Sequence, residues 1–529
     1  MTTVLPAGTL PAQRQGTHDD LRGRLRKVAA GPRWAAVRTR VPLFCLLALQ
    51  AALSWRLGNT AFQDESLYLY AGHRELGLFQ HHTPTFDNYS AYFSGAPFLY
   101  PVLGALADNL AGLGGARALS LLFMLATTGL LHALTCRLFG RPAALLAAAV
   151  FAVTGPTLFL SHLATYDAMA LFLLALASWA AVRTASLPAL TAALVGPPLV
   201  LAALTKYAAL LYAPTVIALA VLAAVPERGR WRSLVRGLLV VVAAAGCGYG
   251  LVRLAGQAFV VGLKSTTTAR QAGTDATGLL VRSSVEYGGA VFLVAIIGAV
   301  LLVRAHSART GEHGGGRPGR LALGLLLTGT ALLAPAYQIH LHTLTSLHKH
   351  VGYGLFFAAP MAGYALSRLL GSRLHDPRRL GMALAACLVI AGLGIQQSAE
   401  LFRQWPNASG LVQVLRTQVR PTTGRYLVEE SEVTRYYLRD LVQPYQWSGT
   451  YYFEYTNKKG QHFVGVPAYQ AAIADRYFDL VVLRYGPTAA LDRQIDADLT
   501  AGHGYQLIAK VQADSSYGTS TWFVWRSGG

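Results

Sequence analysis

A mainly α fold is predicted: a polytopic bundle of about eleven membrane helices, followed by a small α/β extracytoplasmic domain. Three observations predict it. Only 13% of the 529 residues are charged and 53% are hydrophobic, whereas an ordinary soluble domain carries about a quarter charged residues. The apolar residues run in long, nearly uninterrupted blocks. After Gln397 charged and aromatic residues return, in short strand-like runs.

Taken in order, residues 1–40 are polar and arginine-rich. They are longer and more basic than the leading region of a cleaved signal, so a cytosolic tail and an uncleaved first anchor are expected. The first span is Val41–Leu57. The stretch from Gly58 to Gly115 is mixed polar and aromatic. Its apolar piece, Phe98–Leu113, carries Asp108 and Asn109 and is expected to lie on the bilayer rather than cross it. Spans follow at Ala116–Leu134, Pro142–Leu160, Ala168–Val182, Leu187–Leu204 and Tyr207–Val225, then at Leu234–Leu263, Gly288–Val303, Leu321–Ile339, Val351–Leu370 and Gly381–Ile395. Arg137 and Arg141, then Arg183, then Arg228 to Arg236, then Arg304 to Arg320, then Arg373 to Arg379 fall in alternate loops. Under the positive-inside rule those loops and the basic tail are cytosolic.

The same distribution accounts for the net charge of +20 without nucleic acid as a partner. Cys45, Cys136, Cys247 and Cys387 lie in or beside apolar runs without CxxC or Cys/His spacing, and read as small buried hydrophobes. The glycine-rich segment 311–317 follows no strand and lacks the GxxxxGK pattern, so it is expected to be a linker. The tail predicts strands at Arg425–Val428, Leu480–Leu483, Leu507–Val511 and Trp522–Trp525, with helices at Glu432–Leu441 and Ala468–Arg476. The expected domains are therefore a basic tail (1–40), a membrane domain (41–397) and an extracytoplasmic domain (398–529).

This topology gathers polar residues on the outer face. Asp64 and Glu65 stand where the first span meets water; such a pair serves general-base or metal chemistry, or one member caps the following helix. The same loop holds Tyr68, His73, His81, His82, Asp87 and Tyr89; the next holds His162, Tyr166 and Asp167. Lys206 sits in the short turn Leu204-Thr205-Lys206-Tyr207, where an ammonium needs a carboxylate or an anionic ligand unless it snorkels. Further outer loops hold Lys264, Arg270, Arg282 and Glu286, and then His340, His342, His348, Lys349 and His350. The His/Lys group suits phosphate binding, metal ligation or an interfacial belt, but no HExxH-type spacing defines a metal site.

These residues resemble the GT-C superfamily of polyprenyl-phosphate-sugar-dependent glycosyltransferases, in the branch of protein O-mannosyltransferases, aminoarabinose transferases and RgtA/B/C/D-like proteins. The resemblance is carried by Asp64-Glu65 with Tyr68 and Gly72 behind it, by Gly95-Ala96-Pro97 and Tyr100-Pro101, by Tyr166-Asp167-Ala168, and by the Leu204 to Tyr207 turn. It implies inverting transfer of a sugar from a polyprenyl phosphate to an extracytoplasmic hydroxyl on a glycan, lipid or protein. Asp64 would be the base and Glu65 would orient the acceptor or Asp64. Asp167 would position the acceptor or touch a divalent metal. Lys206, with Lys349 or Arg282, would bind the donor phosphate; Tyr68, His82, Tyr166, His348 and His350 would line the site. The competing readings are a flippase for lipid-linked saccharides and a non-catalytic receptor for cell-wall glycan.

Overall fold

The computed structural model describes residues 32–305, 316–371 and 376–528. The basic tail before residue 32 and most of the glycine-rich segment lie outside them. The described residues are 71% helical.

Each segment expected to span falls on a helix, but several are broken where the sequence carries Gly or Pro. Among the described residues six helices are long and apolar enough to cross a bilayer: Tyr100–Phe139, Tyr166–Arg183, Val225–Gln257, Thr277–Arg304, Gly316–His340 and Pro377–Arg403. The segment Pro142–Leu160 is two helices, Arg141–Ala152 and Gly155–His162, bent by 68°, with Pro156 in the first turn of the second. Leu187–Leu204 and Tyr207–Val225 each begin as a 3₁₀ stretch, Ala189–Val195 and Tyr207–Tyr212. They widen into α-helix at Pro197-Pro198 and Pro214, which sit in the first turn, where the N–H that proline lacks is not needed.

The piece expected to lie on the bilayer, Phe98–Leu113, is not separate. It leads across a break at Ala111 and Gly112 (φ 62°) into the next span, as the helix Tyr100–Phe139. Asp108 turns away from solvent and accepts hydrogen bonds from His73 (2.6 Å), Tyr436 (2.6 Å) and Arg439 (3.1 Å). The last apolar helix runs to Arg403, past the expected boundary at 397.

Outward-facing apolar side chains such as Leu238, Val242 and Leu254 form a stripe too extensive for a water-facing helix. The centre of the bundle is the helix Leu347–Leu370, buried almost throughout from Lys349 to Leu366. Small residues let neighbours close on it: a Cβ on Gly298 would stand 2.0 Å from the carbonyl oxygen of Met361, and one on Gly363 would stand 2.3 Å from that of Ala143. Because Lys349 and His350 open this central helix, packing it also buries the two polar side chains beneath the loops.

The C-terminal domain holds β1 (Tyr426–Val428), β2 (Trp447–Ser448), β3 (Glu454–Thr456), β4 (His462–Val464), β5 (Leu480–Leu483), β6 (Tyr505–Ser515) and β7 (Gly518–Ser527). Five form a sheet in the order β2-β1-β5-β7-β6, parallel over β2, β1 and β5 and antiparallel beyond; β3 and β4 form a separate hairpin. All four expected strands are present, and both expected helices appear as Ser431–Tyr437 and Val466–Ala474. The helix Ala489–Thr500 and the short strands β2, β3 and β4 are additions.

The close approach at Gly363 makes a prediction. Gly363→Ala should lower thermal stability in detergent by about 1–3 kcal/mol through overpacking. Gly381→Ala, with nothing within 4 Å of the new methyl, should leave the unfolding temperature unchanged or slightly raised.

Candidate active site

The two adjacent carboxylates have separate fates. Glu65 is fully buried. Its Oε1 accepts from Arg117 Nε (2.8 Å) and the Ala164 amide (2.8 Å), and its Oε2 accepts from Arg117 (2.7 Å) and the Phe62 amide (2.9 Å). The Phe62 contact makes Glu65 a cap at the start of the helix Gln63–His81. Arg117 also donates to the carbonyls of Asn59 (2.8 Å) and Thr60 (3.3 Å). Glu65 thus has no lone pair left for an acceptor; of the two roles expected for it, the arrangement suits orienting Asp64, since it fixes the backbone from which Asp64 projects.

Asp64 points the other way. Its side chain is 40% exposed and accepts from the ammonium of Lys349, itself 6% exposed. Burial raises the Asp64 carboxyl, but the Lys349 ammonium, assisted by Lys206, outweighs it and holds the pKa below the ordinary carboxylate value.

Lys206 is paired in the same manner, with Asp167 at 3.2 Å, and its Nζ lies 4.6 Å from the centre of the Tyr166 ring. Asp167 also accepts from Thr165 Oγ1 (3.1 Å), while its backbone carbonyl accepts from Tyr353 (3.0 Å). Tyr166 shares short hydrogen bonds with Tyr68 (2.5 Å) and Ser94 (2.6 Å). Burial, followed by the neighbouring Tyr166 and Asp64, pushes the Tyr68 phenol well up, so it keeps its proton. The turn carrying Lys206 is clamped by two backbone bonds across from the Gly95 loop, Ala96 N–H to Leu204 O (2.8 Å) and Tyr207 N–H to Ser94 O (3.0 Å). Gly95 is required there, since a Cβ would stand 2.1 Å from the Thr205 carbonyl oxygen.

Two cavities share Asp64, Thr345 and Ser346 in their walls. The larger, about 670 Å³, is lined by Lys206, Arg270, His350, Tyr68 and Ser94 at one end and by Leu210, Leu211, Pro214 and Ala334 along its length. Gln338 Nε2 donates to the Thr345 carbonyl (3.1 Å), which fixes its amide so that it also donates to His350 Nδ1 (3.0 Å). The imidazole proton is therefore on Nε2, which is buried and without a partner among the described residues. Lys206, Lys349 and Arg270 face Asp64 and Asp167, leaving one positive charge over. A cationic end with a spare N–H donor and an apolar length suits an amphiphile with an anionic head. The smaller cavity, about 190 Å³, is lined by Phe62, Gln63, Phe159, His348, Lys349, Gln404 and Trp405.

The structure thus brings together Asp64, Asp167, Lys206, Lys349, Tyr68, Tyr166, His348 and His350. It leaves out His82, exposed in a left-handed turn (φ 54°) at the far end of its helix. It also leaves out Arg282, exposed on the helix Thr277–Arg304 and lining neither cavity. Arg270, seven residues before that helix begins at Thr277, takes the place expected for Arg282. Arg117 was legible only as an arginine at the outer end of a span, against the charge pattern of the other loops. For a metal, no group of three or more His, Cys, Asp or Glu among the described residues is arranged to hold an ion. The two carboxylates that would ligate one, Asp64 and Asp167, are each bound by a lysine.

Breaking the buried pair tests its role: Glu65→Gln should cost roughly 3–5 kcal/mol of stability. Asp64→Asn, which leaves the buried Lys349 ammonium a neutral acceptor with Asp167 still nearby, should cost less than Glu65→Gln. Thermal unfolding of both variants checks this.

No protein-family profile matches the sequence, and no curated protein does either. The fold is that of GT-C glycosyltransferases. It superimposes on the structure of ArnT from Cupriavidus metallidurans bound to undecaprenyl phosphate with a TM-score of 0.60 and 14% identity, covering 92% of this chain and 98% of that one. The archaeal oligosaccharyltransferase AglB from Archaeoglobus fulgidus, in complex with an inhibitory peptide and a dolichol-phosphate, gives 0.51 and 15%, over 84% and 69%. The mycobacterial arabinofuranosyltransferase AftD gives 0.53 and 16%, over 93% of this chain and 40% of that one.

Proposed function

We propose that this chain is an integral membrane glycosyltransferase that moves a sugar from a polyprenyl phosphate to an acceptor hydroxyl outside the cytosol, with inversion at the anomeric carbon. The observation that carries the reading is the meeting of two cavities at Asp64, one of them cationic at its head and apolar along its length. ArnT and AglB, which share the fold, were solved with undecaprenyl phosphate and dolichol-phosphate, and the larger cavity has the chemistry for such a lipid.

In this reading the donor phosphate lies against Lys206, Arg270 and His350 Nε2, with the prenyl chain along Leu210, Leu211 and Pro214. The acceptor enters from the smaller cavity. Its hydroxyl oxygen attacks the anomeric carbon and gives its proton to Asp64; the bond from that carbon to the phosphate oxygen breaks, and the electron pair leaves with the phosphate. Negative charge grows on the leaving oxygen as the transition state forms, and fixed cations stabilise it there. Attack from the cavity opposite the leaving group inverts the centre. Lys349 holds Asp64 ionised and aimed, and Lys206 and Arg270 supply the positive charge that a metal supplies elsewhere. The basic tail and arginine loops would be cytosolic, and the C-terminal domain extracytoplasmic.

Asp64→Asn should reduce transfer from a labelled polyprenyl-phosphate sugar by about 10²–10⁴-fold while undecaprenyl phosphate binding persists. Near-normal turnover would remove Asp64 as the base. Because the base must be ionised and its pKa is lowered, transfer should hold as pH falls through the ordinary carboxylate range and fail only below it. Lys206→Ala should weaken polyprenyl-phosphate binding by roughly tenfold or more, the loss of one charge-assisted contact. Transfer should also persist in excess EDTA; its abolition, restored by magnesium or manganese, would contradict the metal-free reading.

A further inference from the structure

The smaller cavity differs in chemistry from its neighbour. Phe62, Phe159 and Trp405 give it an aromatic side; Gln63, Gln404 and His348 give it a polar one. Its ammonium, Lys349, is bound to Asp64, so the lining offers no open cation to an acceptor phosphate or carboxylate. Primary amides both donate and accept, which suits hydroxyl groups. The faces of aromatic rings are electron-rich and accept the weakly positive C–H side of a saturated ring. The cavity is also short, about 190 Å³ against about 670 Å³ next door, which admits a ring at a time rather than a lipid chain.

Trp405 is the part of this wall that the C-terminal domain controls. Its ring stacks on Phe62 with centroids 6.1 Å apart and planes 24° apart. Its indole N–H is buried with no partner, and its carbonyl accepts from Asn59 (2.7 Å). The guanidinium of Arg484 lies over the same ring, 5.3 Å from its centre, and is bound to Glu430 at 2.5 Å. Glu430 adopts a left-handed conformation (φ 54°), a strained state that persists where surrounding contacts enforce it. Glu430 and Arg484 follow β1 and β5, adjacent parallel strands. The chain leaves β1 toward β2 on one side and reaches β5 on the other, so this is the edge where open α/β sheets bind ligands. The edge faces Asp64: Gln63 donates to Glu432, two residues beyond Glu430, at 3.3 Å.

Resting on the transferase reading above, we infer that the acceptor is a neutral saccharide that packs against the aromatic side formed by Phe62, Phe159 and Trp405 while one hydroxyl reaches Asp64, and that Arg484, held by Glu430, is a positioning residue for the indole.

The test uses the full chain in phospholipid nanodiscs and saturation-transfer difference NMR. The probes are methyl α-D-mannopyranoside, methyl α-D-arabinofuranoside and the peptide N-acetyl-Ala-Ser-Ala-amide, with undecaprenyl phosphate binding measured in parallel. At least one glycoside should bind wild type, with saturation concentrated on one face of its ring, and the peptide should not. Trp405→Ala should weaken glycoside binding by about tenfold, and Trp405→Phe by less. Arg484→Ala should also weaken it, with partial rescue in Arg484→Lys. Undecaprenyl phosphate binding should be unchanged in all four variants, which also establishes that they are folded. Absence of glycoside binding, glycoside binding indifferent to Trp405, or peptide binding that depends on Trp405 would each overturn the inference. Failure of the wild type to bind undecaprenyl phosphate would instead overturn the transferase reading itself.

Discussion

The ion pair between Glu65 and Arg117 is the contact on which the site depends. With both charges buried, each is a liability unless all its hydrogen-bonding capacity is met. The structure meets it by drawing in the Asn59 and Thr60 carbonyls, the Phe62 amide and the Ala164 amide. Four separate pieces of chain are tied at one point: the loop after the first helix, the helix bearing Asp64, the helix Tyr100–Phe139, and the turn leading to Asp167. The satisfied carboxylate therefore holds its neighbour still, and Asp64 can face a cavity without having to find its own support.

Around that anchor the charges repeat one arrangement. Asp64 with Lys349 and Asp167 with Lys206 are carboxylate–lysine pairs from different segments, the first made because the buried helix Leu347–Leu370 begins beneath the loops. Each pair reduces the cost of bringing its members out of water. Arg270 is then left as surplus positive charge, and His350 Nε2 as a spare donor, on the wall of the larger cavity. A site built only for stability would have no reason to leave either one over.

Much of this was legible in the sequence. Asp64, Asp167 and Lys206 each stand where an apolar run meets a polar one, and burying such groups requires partners. The strands β1 and β5, and less than half of each of β6 and β7, follow from their apolar and β-branched runs. What the sequence did not reveal was pairing. Nothing local separates Glu65 from Asp64, because their difference comes from the pitch of one helix and from Arg117, distant in the chain. Arg270 and Arg282 read alike as loop arginines until the fold turns one inward. Proline and glycine break several apolar runs into bent helices, which residue counting merges into straight spans. His82 looked like part of a cluster because it is near in sequence, yet the helix Gln63–His81 carries it to its far end.

The contacts joining the two ends of the chain also set an order of events during synthesis. Asn59 donates to the carbonyl of Trp405 across a separation of 346 residues, and the Ala61 amide donates to Tyr437 across 376. Local helices can form as each leaves the ribosome, but contacts of this separation must wait until the late segment exists. The loop carrying Asp64 therefore gains its final support only when nearly the whole polypeptide has been made. A truncated or stalled chain would hold its membrane helices and still lack a finished reaction centre.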